Sequence, residues 1–337
     1  MNRFMMFVLG WFVMFCPPLF AQESTDDQQP ADKENQVSKT PRVHGVMNFR
    51  YRYDDLLDLN SFDIRRARID VRGNMTSKLE YRVFAEFGSG TPKLLNAHLQ
   101  WKFNDDLTLL VGQYKIPFTL EGPHQFSELE MIDFSLPVTS LSNYNDALAG
   151  ITANGRDIGI SLIGKLFRRD GFSLINYNIG VFNGAGINTV DNNKAKDFVG
   201  LLTFNPTKHI SLAVSHYNGT AGQQDNTFQR VRSSFGARYD DGRLLFRSEY
   251  IFGKTSKTNS DGLYAVAGYF VHPKIQPVLK YEYFQSNTKI KDTRQENFIV
   301  GINYIPRKNM CYQLNYTRKI FSETQGNYIA AQIWLRF

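Results

Sequence analysis

From Val43 onward, apolar and polar residues alternate in short segments set off by turn residues. In 95–103 (LNAHLQWKF), Leu95, Ala97, Leu99, Trp101 and Phe103 alternate with Asn96, His98, Gln100 and Lys102. In 79–87, Leu79, Tyr81, Val83, Ala85 and Phe87 share one face, against Glu80, Arg82, Phe84 and Glu86. In 310–317, Met310, Tyr312, Leu314 and Tyr316 alternate with Cys311, Gln313, Asn315 and Thr317. The last segment sets Ile329, Ala331, Ile333, Leu335 and Phe337 against Tyr328, Gln332, Trp334 and Arg336. A period of two predicts extended strands with one apolar and one polar face. The predicted class is all-β, with about sixteen strands.

Alternation alone also fits a soluble sandwich. The connections separate the two, because short and long links take turns. The short ones are 73–77, 104–106, 168–171, 205–209, 240–242, 272–273 and 306–309. The long ones are 54–61, 88–93, 116–155, 183–197, 219–227, 254–261, 287–296 and 321–327. That rhythm predicts a transmembrane antiparallel up-and-down β-barrel with tight turns at one end and outer loops at the other. Most later prolines fall in links or at strand ends, where no ladder donor is lost. Pro277 is the exception, inside the thirteenth expected strand. The 17 tyrosines and 27 phenylalanines suit interfacial girdles and a lipid-facing band.

The N-terminus changes the compartment. Arg3 precedes an apolar run of twelve, Phe4 to Phe15, and then Pro17-Pro18. The run is too short for a spanning helix but suits a signal peptide cleaved near Ala21. Residues 22–42 are polar and lack aromatics, and are expected to be a disordered periplasmic leader. The expected organisation is therefore a signal peptide (1–21), a leader (22–42) and a barrel (43–337). The expected location is the outer membrane of a Gram-negative cell, with lipid as the surrounding partner. Of two cysteines, Cys16 and Cys311, only the second survives cleavage, so no intrachain disulfide is expected. The terminal sequence QIWLRF resembles the C-terminal signal of such barrels, ending on Phe337. That resemblance implies the barrel assembly machinery as a partner.

Charge then locates the chemistry. The formal charge is +7. The first 41 residues carry three basic and five acidic side chains, so the remainder is +9. Export makes nucleic acid an unsuitable partner. With the apolar face toward lipid, parity turns Arg50, Arg52, Arg66, Arg68 and Arg72 inward, along with Lys102. An outward arginine near the bilayer midplane would cost about 2–4 kcal/mol. Arg65 has the wrong parity unless a bulge re-aims it, and Phe62 and Ile64 share parity with Arg66, which points to a phase break there. Such a ladder attracts anions. Individual arginines equally suit pairing with Glu80, Glu86 and Asp70. The 116–155 link is the expected constriction loop. Its acids Glu121, Glu128, Glu130, Asp133 and Asp146 would set a transverse field against the basic wall.

Three segments carry a resemblance: FDIRRARIDVRG (62–73), GQYKIPF (112–118) and GVFNG (180–184). With the final strand, they make the chain similar to the phosphate-selective porin O and P family over about 43–337. The resemblance implies a sixteen-stranded trimeric porin whose constriction bears basic residues. It places Arg65, Arg66 and Lys115 at an anion site, with small anions such as phosphate as partners. Lys115 shares parity with outward residues but sits where Pro117 ends the strand and the chain turns inward. The expected function is diffusion of small polar solutes with anion preference. A general-diffusion porin without selectivity, a barrel plugged by its long loop and a barrel hydrolase are the alternatives. The six histidines lie in separate segments with no nucleophile motif beside them, although His98 faces the lumen by parity. An enzyme, a metal and a cofactor are accordingly not expected.

Overall fold

The computed structural model describes residues 38–88, 90–224 and 226–337. The expected signal peptide and nearly all of the leader lie outside these residues. The first four strands are β1 (Arg42–Asp54), β2 (Leu59–Asn74), β3 (Leu79–Glu86) and β4 (Lys93–Asn104). Next come β5 (Leu107–Lys115), β6 (Arg156–Arg169), β7 (Phe172–Phe182) and β8 (Asp197–Phe204). β9 (Ile210–Gln223), β10 (Asn226–Asp240), β11 (Leu244–Thr255) and β12 (Thr258–Tyr269) follow. β13 (Ile275–Gln285), β14 (Arg294–Arg307), β15 (Met310–Phe321) and β16 (Thr324–Arg336) complete the sheet. Each strand pairs antiparallel with its neighbours in sequence, and β1 pairs with β16, so the sheet closes into a sixteen-stranded barrel. Closure removes the free edges that lipid could not hydrogen-bond.

The alternation that predicted the strands also assigns their faces. Phe49, Leu99, Trp101, Val300, Leu314 and Ile333 are exposed on the outside. Their neighbours Asn48, Gln313, Asn315 and Gln332 are buried within.

Two phase breaks are β-bulges. Asn48 opposes Arg66 and Phe49 opposes Ile64, so Arg65 is the extra residue on β2. The bulge lets Phe62 and Ile64 stay outside while Arg65 and Arg66 both avoid lipid. A second bulge, at Leu94 to Asn96, corrects the expected face of Leu95. Leu94 takes the outward place, and Leu95 is fully buried. Pro277 does lie within β13, but just beyond the last β12 pair, Gly268 with Val278, so it removes no ladder donor there.

The expected rhythm of links needs correction. Those at 54–61, 219–227, 254–261 and 321–327 are half or more strand, with turns at 55–58, 256–257 and 322–323. The strands run past the length needed to cross hydrocarbon and pair almost to their tips. Links at 87–92, 183–196 and 286–293 remain longer. The 116–155 link is by far the longest and folds into the barrel, carrying the short helix α1 (Leu136–Leu141).

Candidate functional site

The 116–155 loop crosses the lumen because residues of the far wall satisfy its backbone. The Leu120 N–H donates to Glu249 Oε1 at 2.7 Å, and the Leu136 N–H to Glu282 Oε2 at 3.0 Å. The Ile132 N–H donates to Asn315 Oδ1 at 2.8 Å, and Asn303 Nδ2 to the Glu130 carbonyl at 2.8 Å. Helix α1 packs on β11, β12 and β13. An apolar cluster forms behind the loop, joining Phe118, Met131, Val138 and Leu141 to Val199, Ile251, Val266, Val278 and Ile299. The inward face is therefore not polar throughout. Where the loop lies against the wall, burying apolar surface is favoured.

Three of the loop's acids are absorbed by that same wall. Arg247 bridges Glu121 and Glu130 at 3.2 and 2.8 Å, and Arg232 meets Asp146 at 3.0 Å. All five side chains are buried. These acids anchor the loop, which corrects the expectation that they face the basic wall across an aqueous gap. Asp133 and Glu128 differ, with side chains 46 % and 45 % exposed. Asp133 meets Arg65 at 2.5 Å and Arg50 at 3.7 Å. Partial burial pushes the Glu128 carboxyl up, but His124 and the Gln125 N–H hold it below the ordinary carboxylate range.

On the near wall, several expected basic residues are paired. Arg50 and Arg52 both reach Asp63, at 2.8 and 2.9 Å. Arg68 reaches Glu86 at 2.6 Å, Arg72 reaches Asp70 at 2.6 Å and Lys102 reaches Glu80 at 2.5 Å. Arg82, absent from the expected set, also binds Asp70, at 2.8 Å. Arg65 spends its donors on the Ile132 carbonyl, Gln332 and Asp133. Arg66 donates to the Arg65 carbonyl at 2.7 Å, approaches Glu86 only at a long 3.6 Å, and its guanidinium lies over the Phe126 ring.

Lys115 and Arg156 stand apart. They are register partners at the base of the loop. Lys115 turns inward and donates to the carbonyls of Gly122 and His124 and to the Tyr144 hydroxyl. Its ammonium also lies 5.0 Å from the Phe134 ring centroid. Arg156 donates to Asn96 Oδ1 at 3.0 Å and to the Asn154 carbonyl at 2.8 Å. Neither has a carboxylate within 4 Å among the described residues. Gly112, three residues before Lys115, has φ of 126°, and a Cβ there would come within 2.2 Å of the Ala97 carbonyl. The glycine that opens GQYKIPF is thus required by close approach to β4. Sequence reasoning missed Arg156, whose outward parity hides its role. Its adjacency to Lys115 emerges only once β5 and β6 pair.

His98 faces inward and packs edge-on against Tyr114 at 5.7 Å, without a hydrogen-bond partner on Nδ1. Among the described residues, no group of three or more His, Cys, Asp or Glu side chains is arranged to hold a metal.

An edgeless sheet that is greasy outside and charged inside, narrowed by its own longest loop, defines an outer-membrane channel of the porin class. The family follows from the sequence: the profile of the phosphate-selective porin O and P family matches residues 40–327, and the chain belongs to that family. No curated protein matches it as a sequence relative. Among solved structures, it is similar to the anion-selective porin from Comamonas acidovorans, with 13% identity and a TM-score of 0.68. The likeness covers 88% of this chain and 99% of that one. It is similar at 11% identity and a TM-score of 0.65 to OmpF of Salmonella typhi in complex with daunomycin, covering 88% and 97%. The trimer form of OmpT from Vibrio cholerae gives 11% identity, a TM-score of 0.64, and coverage of 88% and 99%.

Proposed function

We propose that the protein is a trimeric outer-membrane porin that passes small polar solutes with a preference for anions. The observation that carries this reading is the contrast in pairing. Arg247 and Arg232, on the far wall, are neutralised by buried carboxylates, whereas Lys115 and Arg156 have only neutral oxygens as partners. Arg66, Arg68 and Arg82 lie near them, with Glu86 and Asp70 as the wall's acids. A local positive excess of this kind raises anion concentration and stands in for lost hydration. The anion-selective Comamonas porin and the trimeric OmpT are consistent with selectivity and assembly, although their likeness is one of fold.

Bilayer recordings under a KCl gradient test the reading: the reversal potential should report chloride over potassium. Potassium preference would remove the anion claim and leave the porin. Phosphate is the narrower proposal. Low phosphate should block chloride current, and Arg66→Ala or Lys115→Ala should weaken that block. Chloride current indifferent to phosphate would favour a general anion-preferring porin.

A further inference from the structure

The inward face of β3 reads Glu80, Arg82, Phe84 and Glu86, so one phenyl ring stands among charges. Phe84 is buried, and so is Phe126 on the loop that crosses the lumen. Guanidinium groups lie over both. Arg68 and Arg82 are 5.4 and 4.8 Å from the Phe84 ring centroid. Arg66 and Arg68 are 5.8 and 5.3 Å from that of Phe126. The contacts therefore run Arg66, Phe126, Arg68, Phe84, Arg82, with cations and rings in alternation. All four fall within the reach of about 6 Å over which a ring face attracts a cation.

The carboxylates nearby leave much of this column unspent. Arg68 donates only through Nε, to Glu86 Oε2 at 2.6 Å. The other Glu86 oxygen is taken by the Ala67 and Gly88 N–H groups. Arg82 uses Nε and Nη2 on Asp70, at 2.8 and 2.9 Å, and Arg66 uses Nη1 on the Arg65 carbonyl. Among the described residues, Arg68 Nη1 and Nη2, Arg82 Nη1 and Arg66 Nη2 have no partner, and none of the four is sealed from water.

We infer that Phe84 and Phe126 are positioning residues, which hold these guanidiniums so that their free edges select oxyanions over halides. The inference rests on the anion-channel reading and adds what sets its discrimination. A guanidinium carries its donors in its plane, as a fork that matches two oxygens of one oxyanion. A ring against its face leaves that edge free and limits the rotations that would blur the fork. A halide is round, gains nothing from the fork and responds to charge alone. Arg68 touches one ring of the wall and one of the loop. Its donors therefore take their final place only when the loop is docked.

The test uses the exported protein in planar bilayers, with inorganic phosphate titrated against chloride current. Phe126→Leu and Phe84→Leu keep apolar bulk but remove the ring face. Each should raise the phosphate concentration for half-block by about three- to tenfold. The chloride-to-potassium permeability ratio and the single-channel conductance should stay near the parent values, because every charge remains. Phe126→Tyr, which keeps the ring face, should restore the parental block. Arg68→Lys, which keeps the charge and loses the fork, should behave like the leucine variants. A block that survives both leucine substitutions overturns this inference alone, whereas a parent without phosphate block overturns the phosphate proposal with it. If block, selectivity and conductance all change together in Phe126→Leu, the ring only supports the loop and the inference fails. Should Phe84→Leu not fold, Phe126→Leu and Phe126→Tyr decide the question.

Discussion

The two sides of the barrel use arginine in opposite ways. On β10 and β11, three arginines are sealed beneath the loop: Arg230 with Asp197 at 3.0 Å, Arg232 with Asp146, and Arg247 with two glutamates. On β1 to β6 most are partly exposed and share carboxylates, whereas Lys115 and the buried Arg156 have none. A buried charge without its partner is costly, so the first group is obliged to be neutral as a set. The second group, Arg65 and the buried Arg156 apart, is less deeply buried and can keep an excess. Charge count alone therefore says little about selectivity, because the burial of each pair decides whether a permeating ion feels it.

The largest effect should come from breaking the sealed side. Arg247→Leu strands Glu121 and Glu130, and loss of one partner of a buried pair costs about 3–5 kcal/mol. We expect a lower unfolding temperature and, in the folded fraction, larger single-channel conductance as the loop loses its anchor. Unchanged conductance and stability would mean that the apolar cluster alone holds the loop.

Lys115→Gln with Arg156→Gln should come next. It should move the reversal potential toward potassium, with little change in thermal stability. A stability loss without a selectivity change would reassign the pair to supporting the loop. Asp133→Asn should act in the other direction and more weakly. It removes one exposed acid, so anion preference should rise under the same gradient. The smallest effect is expected at Lys102→Ala, whose pair with Glu80 is well exposed and worth under about 1 kcal/mol. Reversal potential and melting should both stay near the parent values.

The barrel was legible because a strand facing lipid on one side and polar groups on the other writes its period directly into the chain. The bulge at Arg65 was legible too, since Phe62 and Ile64 fall out of phase with Ala67 and Ile69. The bulge at Leu95 was not, because Leu94 and Leu95 are the same residue type and neither betrays the slip. The apolar inward positions Val266 and Val278 were equally hidden. They have meaning only against Val138 and Leu141, more than a hundred residues away.

The sequence by itself determined the strand count, the lipid face and the inward arginines of β1 and β2, because these follow from local alternation and the cost of charge in hydrocarbon. Tertiary structure alone decided which charges remain free. Closure brings Asp54 to Lys319 and Asn48 to Gln332, and the loop carries Glu130 to Arg247. Such pairs are set by distance in space, and no periodicity records them.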